Sequence, residues 1–131
     1  ELKRQLSQSD DVVETARLEF SRFFNARFSG QTLTSSIPSL DELASLHFCS
    51  SRTYSRKLTE HNQSYKALLE ESRQSQALKL LRSTHLSIAD IALILAYQEP
   101  ANFVRAFKTW FHTTPAAWRK QTRPTQFKGT T

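Results

Sequence analysis

Glycine is scarce in this sequence, with two residues among 131. Phosphate-binding P-loops and dinucleotide-binding loops need several closely spaced glycines, so the scarcity excludes both kinds of site. All-β folds also use glycine in their turns, and they are disfavoured for the same reason. The single cysteine, Cys49, excludes a disulfide framework and a thiolate-rich zinc site. No apolar run approaches the roughly 20 residues that a membrane-spanning helix requires.

The length fits one domain of about 100–200 residues. Hydrophobic residues make up 38% of the chain and aromatic residues 11%, which is enough to build a core. The first residue is Glu1 rather than methionine, and no signal-peptide pattern follows it. We therefore expect a fragment cut from a cytoplasmic protein.

The formal net charge of +6 is unevenly distributed. Residues 1–38 contain five basic and five acidic residues, whereas residues 39–131 contain thirteen basic and seven acidic residues. A basic surface binds polyanions such as nucleic acids by displacing condensed counterions. It can also be simply solvated, so charge alone leaves both interpretations open.

The spacing of apolar residues predicts an all-α protein. Residues 1–9 are polar and expected to be frayed, and the first helix is predicted to begin at Asp10. Asp11 with Glu14 three residues later resembles a capping box at its start. Gly30 is expected to end this helix.

Further helices are predicted in the rest of the chain. Ser39 and Ser87 each begin a capping box, with an acidic residue three positions later. A long helix is predicted from about residue 64 to residue 83. Pro100 fits the first turn of a later helix, because its missing N–H costs nothing there. Pro115 begins a last short turn.

Two stretches of the sequence repeat each other. SLDELASLHFCSSRTYSRKL (residues 39–58) and SIADIALILAYQEPANFVRAF (residues 87–107) each predict a capped short helix, a brief turn and a second helix. Matching residues lie 48 positions apart in the first helix and 49 apart in the second, so the second turn is one residue longer. Ala44 and Ala92 are small enough for the paired helices to cross closely. This layout is that of a helix-turn-helix.

The second helix of each copy has one apolar and one polar face. Tyr54 and Leu58 form the apolar face in the first copy, and Phe103 and Phe107 form it in the second. Arg can bind guanine through two hydrogen bonds, Asn can bind adenine, and small residues can contact a thymine methyl group. Residues of these kinds lie opposite the apolar faces: Ser51, Arg52, Ser55, Arg56 and Thr59 in the first copy, and Ala101, Asn102, Arg105 and Lys108 in the second. One polar helical hairpin is common in α proteins, but two matching copies in a basic chain favour DNA binding.

The remaining residues suggest neither catalysis nor a cofactor. The four histidines show no i, i+4 pairing and no nearby cysteine cluster, so no metal site is expected. Cys49 is expected to be a small buried hydrophobe rather than a redox switch. Trp110 and Trp118 are expected in the core rather than stacked on bases. No Ser-His-Asp or paired-carboxylate arrangement stands out, so we do not expect an enzyme.

Residues 39–119 resemble the DNA-binding domain of the AraC/XylS family of bacterial transcription regulators. The most specific match is LSIADIALILAYQEPANFVRAFKTWFHTTPAAWRK, with its F-x-R-x-F-K core and closing Pro-x-x-aromatic-Arg. The first unit matches the family's S-x-R-x-x-x-R at Ser50, Arg52 and Arg56. The joining helix matches R-x-x-x-A-x-x-L-L, beginning at Arg73.

Three residues depart from the family pattern at positions where glycine is usual. Ala96 stands before the second recognition helix, His112 before the closing turn, and Phe48 in the first unit. If the backbone is left-handed at these positions, the side chains introduce strain that glycine would avoid.

A further departure concerns the second recognition helix. Pro100 and Ala101 stand where some members of the family carry polar base-reading residues. This helix is therefore expected to read bases mainly through Asn102 and Arg105, or else to contribute more to binding the DNA backbone.

The resemblance implies two homeodomain-like helix-turn-helix subdomains joined by a long helix. Both recognition helices would enter successive major grooves, about 34 Å apart. The implied segments are residues 1–38 (linker tail and first packing helix), 39–63 (first helix-turn-helix), 64–84 (linker helix), 85–120 (second helix-turn-helix) and 121–131 (flexible tail).

The resemblance also implies roles for the exposed residues. Contacts with bases are expected from Ser51, Arg52, Ser55, Arg56, Ala101, Asn102 and Arg105. Contacts with phosphates are expected from Ser50, Lys57, Thr59, Ser87 and Lys108.

Double-stranded promoter or operator DNA is the partner that the resemblance implies, with no cofactor and no membrane. The chain is expected to lie in the bacterial cytoplasm, associated with the nucleoid through DNA. An effector-binding or dimerisation domain is expected on its N-terminal side, and RNA polymerase is left open as a further partner. The alternative is a basic α-helical adaptor that binds another protein. An adaptor treats all duplexes alike, whereas a DNA reader loses about 1–3 kcal/mol per wrong base pair.

Overall fold

The computed structural model describes residues 2–30 and 36–122, with side chains described from Val12 onward. Within these residues the protein is all-helical, as the sequence predicts. The helices are α1 (Leu2–Phe28), α2 (Leu40–Leu46), α3 (Ser51–Glu60), α4 (Tyr65–Ser83), α5 (Ile88–Ile94), α6 (Pro100–Phe111) and α7 (Pro115–Thr122). The chain divides into two compact units, and the division falls inside α4, between Ser72 and Arg73.

Both ends of the chain differ from the sequence prediction. The predictions that residues 2–9 are frayed and that Asp11 begins a capping box are wrong. Helix α1 begins at Leu2, so Asp11 lies inside it. Residues 2–9 lack apolar periodicity, but their Leu, Lys, Arg and Gln favour a helix through intrinsic propensity. The last predicted short turn is the two-turn helix α7. Most of the predicted tail at 121–131 lies outside the described residues.

The first unit is built around one face of α1, which packs against α2 and α3. Its core contains Val12, Ala16, Phe20, Phe24, Leu43, Ala44, Tyr54, Leu58 and Leu68, each at most 1% exposed. The Tyr54 hydroxyl donates a hydrogen bond to the carbonyl oxygen of Val12 and so ties α3 to α1. Arg17 of α1 binds Glu71 of α4 at 2.8 Å, and this hydrogen bond raises the pKa of Arg17 above its ordinary value.

The second unit has a core rich in aromatic residues. Phe103 and Phe107 of α6 are buried, together with Ile91 and Ala92 of α5 and Leu95, which caps the C-terminal end of α5. Trp110 and Trp118 both have ring centroids 6.3 Å from that of Phe107. Both tryptophans are half-buried, so they pack at the edge of the core rather than inside it as the sequence predicts.

Serine side chains cap several of the helices. Ser39 forms the predicted capping box, with both reciprocal hydrogen bonds to Glu42. Ser87 forms only half of its predicted box, since its side chain accepts from the Asp90 N–H but its own N–H donates no bond to the Asp90 carboxylate. Aspartate is one methylene shorter than glutamate, which explains the missing return bond.

The two helix-turn-helix turns have the same backbone hydrogen bonds. In the first, the Phe48 and Cys49 N–H groups donate to the carbonyls of Ser45 and Ala44, both at 3.1 Å. In the second, the N–H groups of Ala96 and Tyr97 donate to the carbonyls of Leu93 and Ala92, both at 3.0 Å. This is the Schellman pattern, which requires a left-handed residue after the helix.

The backbone is left-handed at all three positions where this chain departs from the family's glycine. Phe48 has φ 54°, Ala96 has φ 67° and His112, at the end of α6, has φ 61°. The strain expected at these departures is therefore present. The turn between α5 and α6 is also one residue longer than that between α2 and α3, as the repeat predicts.

Candidate nucleic-acid interface

Helix α3 presents a polar face to solvent in the first unit. Ser50 caps its start by accepting a hydrogen bond from the Thr53 N–H at 3.1 Å. Tyr54 and Leu58 anchor the opposite face in the core with no exposed surface. Because buried positions alternate with exposed ones at helical spacing, a continuous outward face results, formed by Arg52, Ser55, Arg56 and Thr59.

Some predicted contact residues of α3 already have partners within the unit. The Ser51 hydroxyl donates to the Asp41 carboxylate of α2, so its proton is used between the two helices. The Thr59 hydroxyl donates to the Ser55 carbonyl at 3.1 Å. Arg56 lies 4.0 Å from Glu60, a weak exposed ion pair on the same helix.

Helix α6 presents the matching face in the second unit. Pro100 occupies its first turn as predicted, and the N-cap residue Glu99 forms no side-chain capping bond. With Phe103 and Phe107 buried, the exposed face consists of Ala101, Asn102, Arg105 and Lys108. The structure thus exposes six of the seven residues predicted to contact bases, and the exception, Ser51, is half-buried.

The charges of these faces are mostly uncompensated. Among the side chains that the structure describes, no acidic group forms a salt bridge with Arg52, Lys57 or Lys108. Lys57 is half-buried, whereas Arg52 and Lys108 are exposed. Cations without an internal partner are available to neutralise DNA phosphates or to bind base edges.

Arg73 supports the second unit in a way that the sequence reasoning missed. Its guanidinium donates to the carbonyl oxygens of Leu95 at 3.0 Å and Ala96 at 3.3 Å, and it lies 4.4 Å from the centre of the Tyr97 ring. These contacts hold the turn that leads into α6. The signal was the family motif that begins at Arg73, but the motif does not say what the arginine binds.

Arg119 has a similar role at the other end of α4. It donates to the carbonyl oxygens of Leu81 at 3.0 Å, Thr84 at 3.2 Å and Leu86 at 2.6 Å. These carbonyls lie at and just after the end of α4, where the helix leaves acceptors unpaired. Arg119 therefore fixes the segment that leads into α5. The signal was the closing Pro-x-x-aromatic-Arg of the family motif, which includes Arg119 but does not say what the arginine binds.

The described residues contain neither a candidate metal site nor a candidate membrane span. No group of three or more His, Cys, Asp or Glu among them could hold a metal ion. In the same part of the chain, no helix is long and apolar enough to cross a membrane.

Two helix-turn-helix units with exposed, basic second helices define the class of this protein as a helix-turn-helix DNA-binding domain. A family model described as "Helix-turn-helix domain" matches residues 43–121, more than half of the chain. The chain belongs to this AraC-type helix-turn-helix family.

Curated relatives of the chain are transcription regulators. The ornithine utilization regulator of Pseudomonas aeruginosa is 32% identical over 83 residues, which cover 63% of this chain and 24% of that protein. The transcriptional regulator SirC of Salmonella typhimurium is 32% identical over 79 residues, which cover 60% of this chain and 27% of that protein. The chain thus spans about a quarter of the length of these relatives.

Solved structures share the fold. The C-terminal domain of AraT, a response regulator from Geobacillus stearothermophilus, has a TM-score of 0.65 at 27% identity, and the match covers 84% of each chain. The DNA-binding domain of AdpA, solved in complex with a target DNA, has a TM-score of 0.58 at 21% identity. That match covers 79% of this chain and 93% of the AdpA domain, and it shows likeness of fold.

Proposed function

We propose that this chain binds double-stranded DNA with sequence specificity, and that α3 and α6 are its recognition helices. The observation that carries the proposal is the same in both units. Each helix buries two large apolar side chains one turn apart and exposes an arginine-bearing face on the opposite side. Recognition helices read bases through such exposed residues, while contacts to phosphates set the register.

In the first unit, Arg52 and Arg56 are the principal base readers. They lie four residues apart on α3, so they project from the same face, with Ser55 beside them. Arg52 has no ion partner among the described side chains and keeps its donors for the O6 and N7 atoms of guanine. Ser51 offers DNA only its oxygen lone pairs, because its proton is bound to Asp41.

In the second unit, Asn102 and Arg105 carry the polar groups of the reading face. Ala101 precedes them and can contact only an apolar group such as a thymine methyl. The face is smaller in polar surface than that of α3, so we propose that α6 recognises fewer base pairs.

Phosphate binding falls to the lysines and to the start of α3. Lys57 and Lys108 supply charge, and the first N–H groups of α3 point out of the helix beside Ser50. We retain Thr59 and Ser87 as phosphate contacts. Ser87 only accepts from the Asp90 N–H and keeps its proton for a phosphate, whereas Thr59 must exchange its bond to the Ser55 carbonyl for one to a phosphate. Such contacts add affinity for any duplex and do not distinguish sequences.

The whole protein is proposed to act as a promoter-binding regulator. Relatives are about four times the length of the matched region, so we propose that a second domain binds an effector or dimerises. We also propose that RNA polymerase is contacted at the promoter. Transcription in vitro from a promoter with the bound site, with and without the protein, tests this part.

Selection of bound duplexes from a random pool tests the proposed function. The enriched duplex is then titrated against scrambled DNA at two salt concentrations. Two enriched boxes support two reading helices, and a single box restricts base reading to one unit. If no sequence is enriched and salt abolishes all binding, base-specific reading is refuted and the adaptor alternative is favoured.

A further inference from the structure

The two polar residues of the α6 face are bonded to each other. Nη2 of Arg105 donates a hydrogen bond to Oδ1 of Asn102, one turn earlier on the helix. Both side chains are exposed, so this bond contributes nothing to the core. It lies on the face that we propose to meet DNA.

This bond changes what each side chain can recognise. To read adenine, asparagine must accept a hydrogen bond from the N6 amino group and donate one to N7. The Asn102 oxygen already accepts from a charged guanidinium, which is a stronger donor than a neutral amino group. The bond therefore orients the amide towards Arg105 and leaves only the second lone pair of its oxygen for adenine. Arg105 uses only one of its five N–H donors and retains enough for both guanine acceptors.

The matching arginine of the first unit is held differently. Arg56, 49 positions before Arg105, has Glu60 as its neighbour at 4.0 Å, towards the C-terminal end of α3. Thr53 occupies the position equivalent to Asn102, and it accepts a hydrogen bond from Ser50 instead. In α6, by contrast, Arg105 binds an acceptor that lies towards the N-terminal end of the helix. This acceptor is a neutral amide, so it adds no negative charge near the phosphates.

We infer that Asn102 is a positioning residue, which orients Arg105 to read one guanine, and that Asn102 does not itself read adenine. The inference rests on the proposed function. Its physical basis is that a long arginine side chain loses rotamer entropy on binding, and a pre-formed hydrogen bond reduces that loss.

The test is a base-preference profile of the 131-residue chain. The duplexes are all single-base variants of the one selected from the random pool. Each is titrated with the unmodified chain and with four variants: Arg105→Ala, Asn102→Ala, Asn102→Asp and the double variant Asn102→Ala/Arg105→Ala. Lys108→Ala serves as the control for a contact that lowers affinity for all duplexes equally. Alanine has a higher helix propensity than asparagine, so Asn102→Ala is expected to fold.

The expected result is that Arg105→Ala and Asn102→Ala weaken the preference for guanine at the same base pair. Arg105→Ala should lose about 5- to 150-fold in discrimination there, and Asn102→Ala a smaller factor. The double variant should resemble Arg105→Ala. Asn102→Asp should keep the preference, because it retains the acceptor, while binding all duplexes more weakly.

Two results would overturn the inference while leaving DNA reading intact. Asn102→Ala could weaken a preference for adenine at a different base pair, which would make Asn102 an independent reader. Alternatively, Asn102→Ala could leave every base preference unchanged while Arg105→Ala weakens the preference for guanine, which would mean that Asn102 does not position Arg105. If the unmodified chain does not distinguish the selected duplex from scrambled DNA, the proposed function fails, and the inference fails with it.

Discussion

Replacing Phe48 with glycine should stabilise the first unit. Phe48 has φ 54° and its side chain is 96% exposed, so the ring is not buried and the backbone is strained. A left-handed L-residue costs about 1–2 kcal/mol, and glycine loses about 0.5–1 kcal/mol more entropy on folding. The difference predicts a gain of about 0.5–1 kcal/mol. The two hydrogen bonds of the turn involve only backbone atoms, so they remain in the variant.

Urea unfolding followed by circular dichroism measures this gain as a higher midpoint at an unchanged slope. Phe48→Ala is the matched control, since it removes the ring but keeps the β-carbon that causes the strain. Ser45→Gly, at an exposed helical position, should instead lower stability. The reasoning is refuted if Phe48→Gly is no more stable than the original chain, or if Phe48→Ala gains as much as Phe48→Gly.

Three other substitutions test the packing described above. Arg119→Met should lower the free energy of unfolding by about 2–4 kcal/mol, because three carbonyl acceptors lose a charged donor. An unchanged midpoint of thermal unfolding would contradict this role. Tyr54→Phe should cost about 1 kcal/mol in urea unfolding, since the bond to the Val12 carbonyl is lost. A cost near zero would mean that this bond does not stabilise the unit. Glu71→Gln should lower the free energy of unfolding by less than about 1 kcal/mol, because its ion pair with Arg17 is about half exposed. The loss should be smaller in high salt, and a large loss that salt does not reduce would contradict this.

Local sequence signals predicted the helices that have caps and apolar spacing. Ser39 and Ser50 were followed by helices because their side chains satisfy N–H groups that any helix start leaves unpaired. The start of α1 was not predictable in this way. Its first residues have no apolar periodicity, and propensity alone leaves the boundary undefined.

The site was predicted less completely than the fold. Helical spacing was sufficient to assign the outward faces of α3 and α6, because burial of Tyr54 and Phe103 fixes how each helix is turned. The partners of Arg73 and Arg119 could not be predicted from the sequence, since they are backbone carbonyls of residues distant in the sequence. No residue pattern indicates which carbonyls converge on one guanidinium. The bond between Asn102 and Arg105 likewise depends on rotamers rather than on spacing alone.

The contacts that read bases and those that bind phosphates can be separated by one comparison. Arg52→Ala and Lys108→Ala are each titrated with the selected duplex and with scrambled DNA at one salt concentration. Arg52→Ala should weaken binding to the selected duplex by about 1–3 kcal/mol more than binding to scrambled DNA, whereas Lys108→Ala should weaken both equally. If Arg52→Ala lowers both affinities by the same factor, α3 does not read bases through this arginine, and the account of the interface is contradicted.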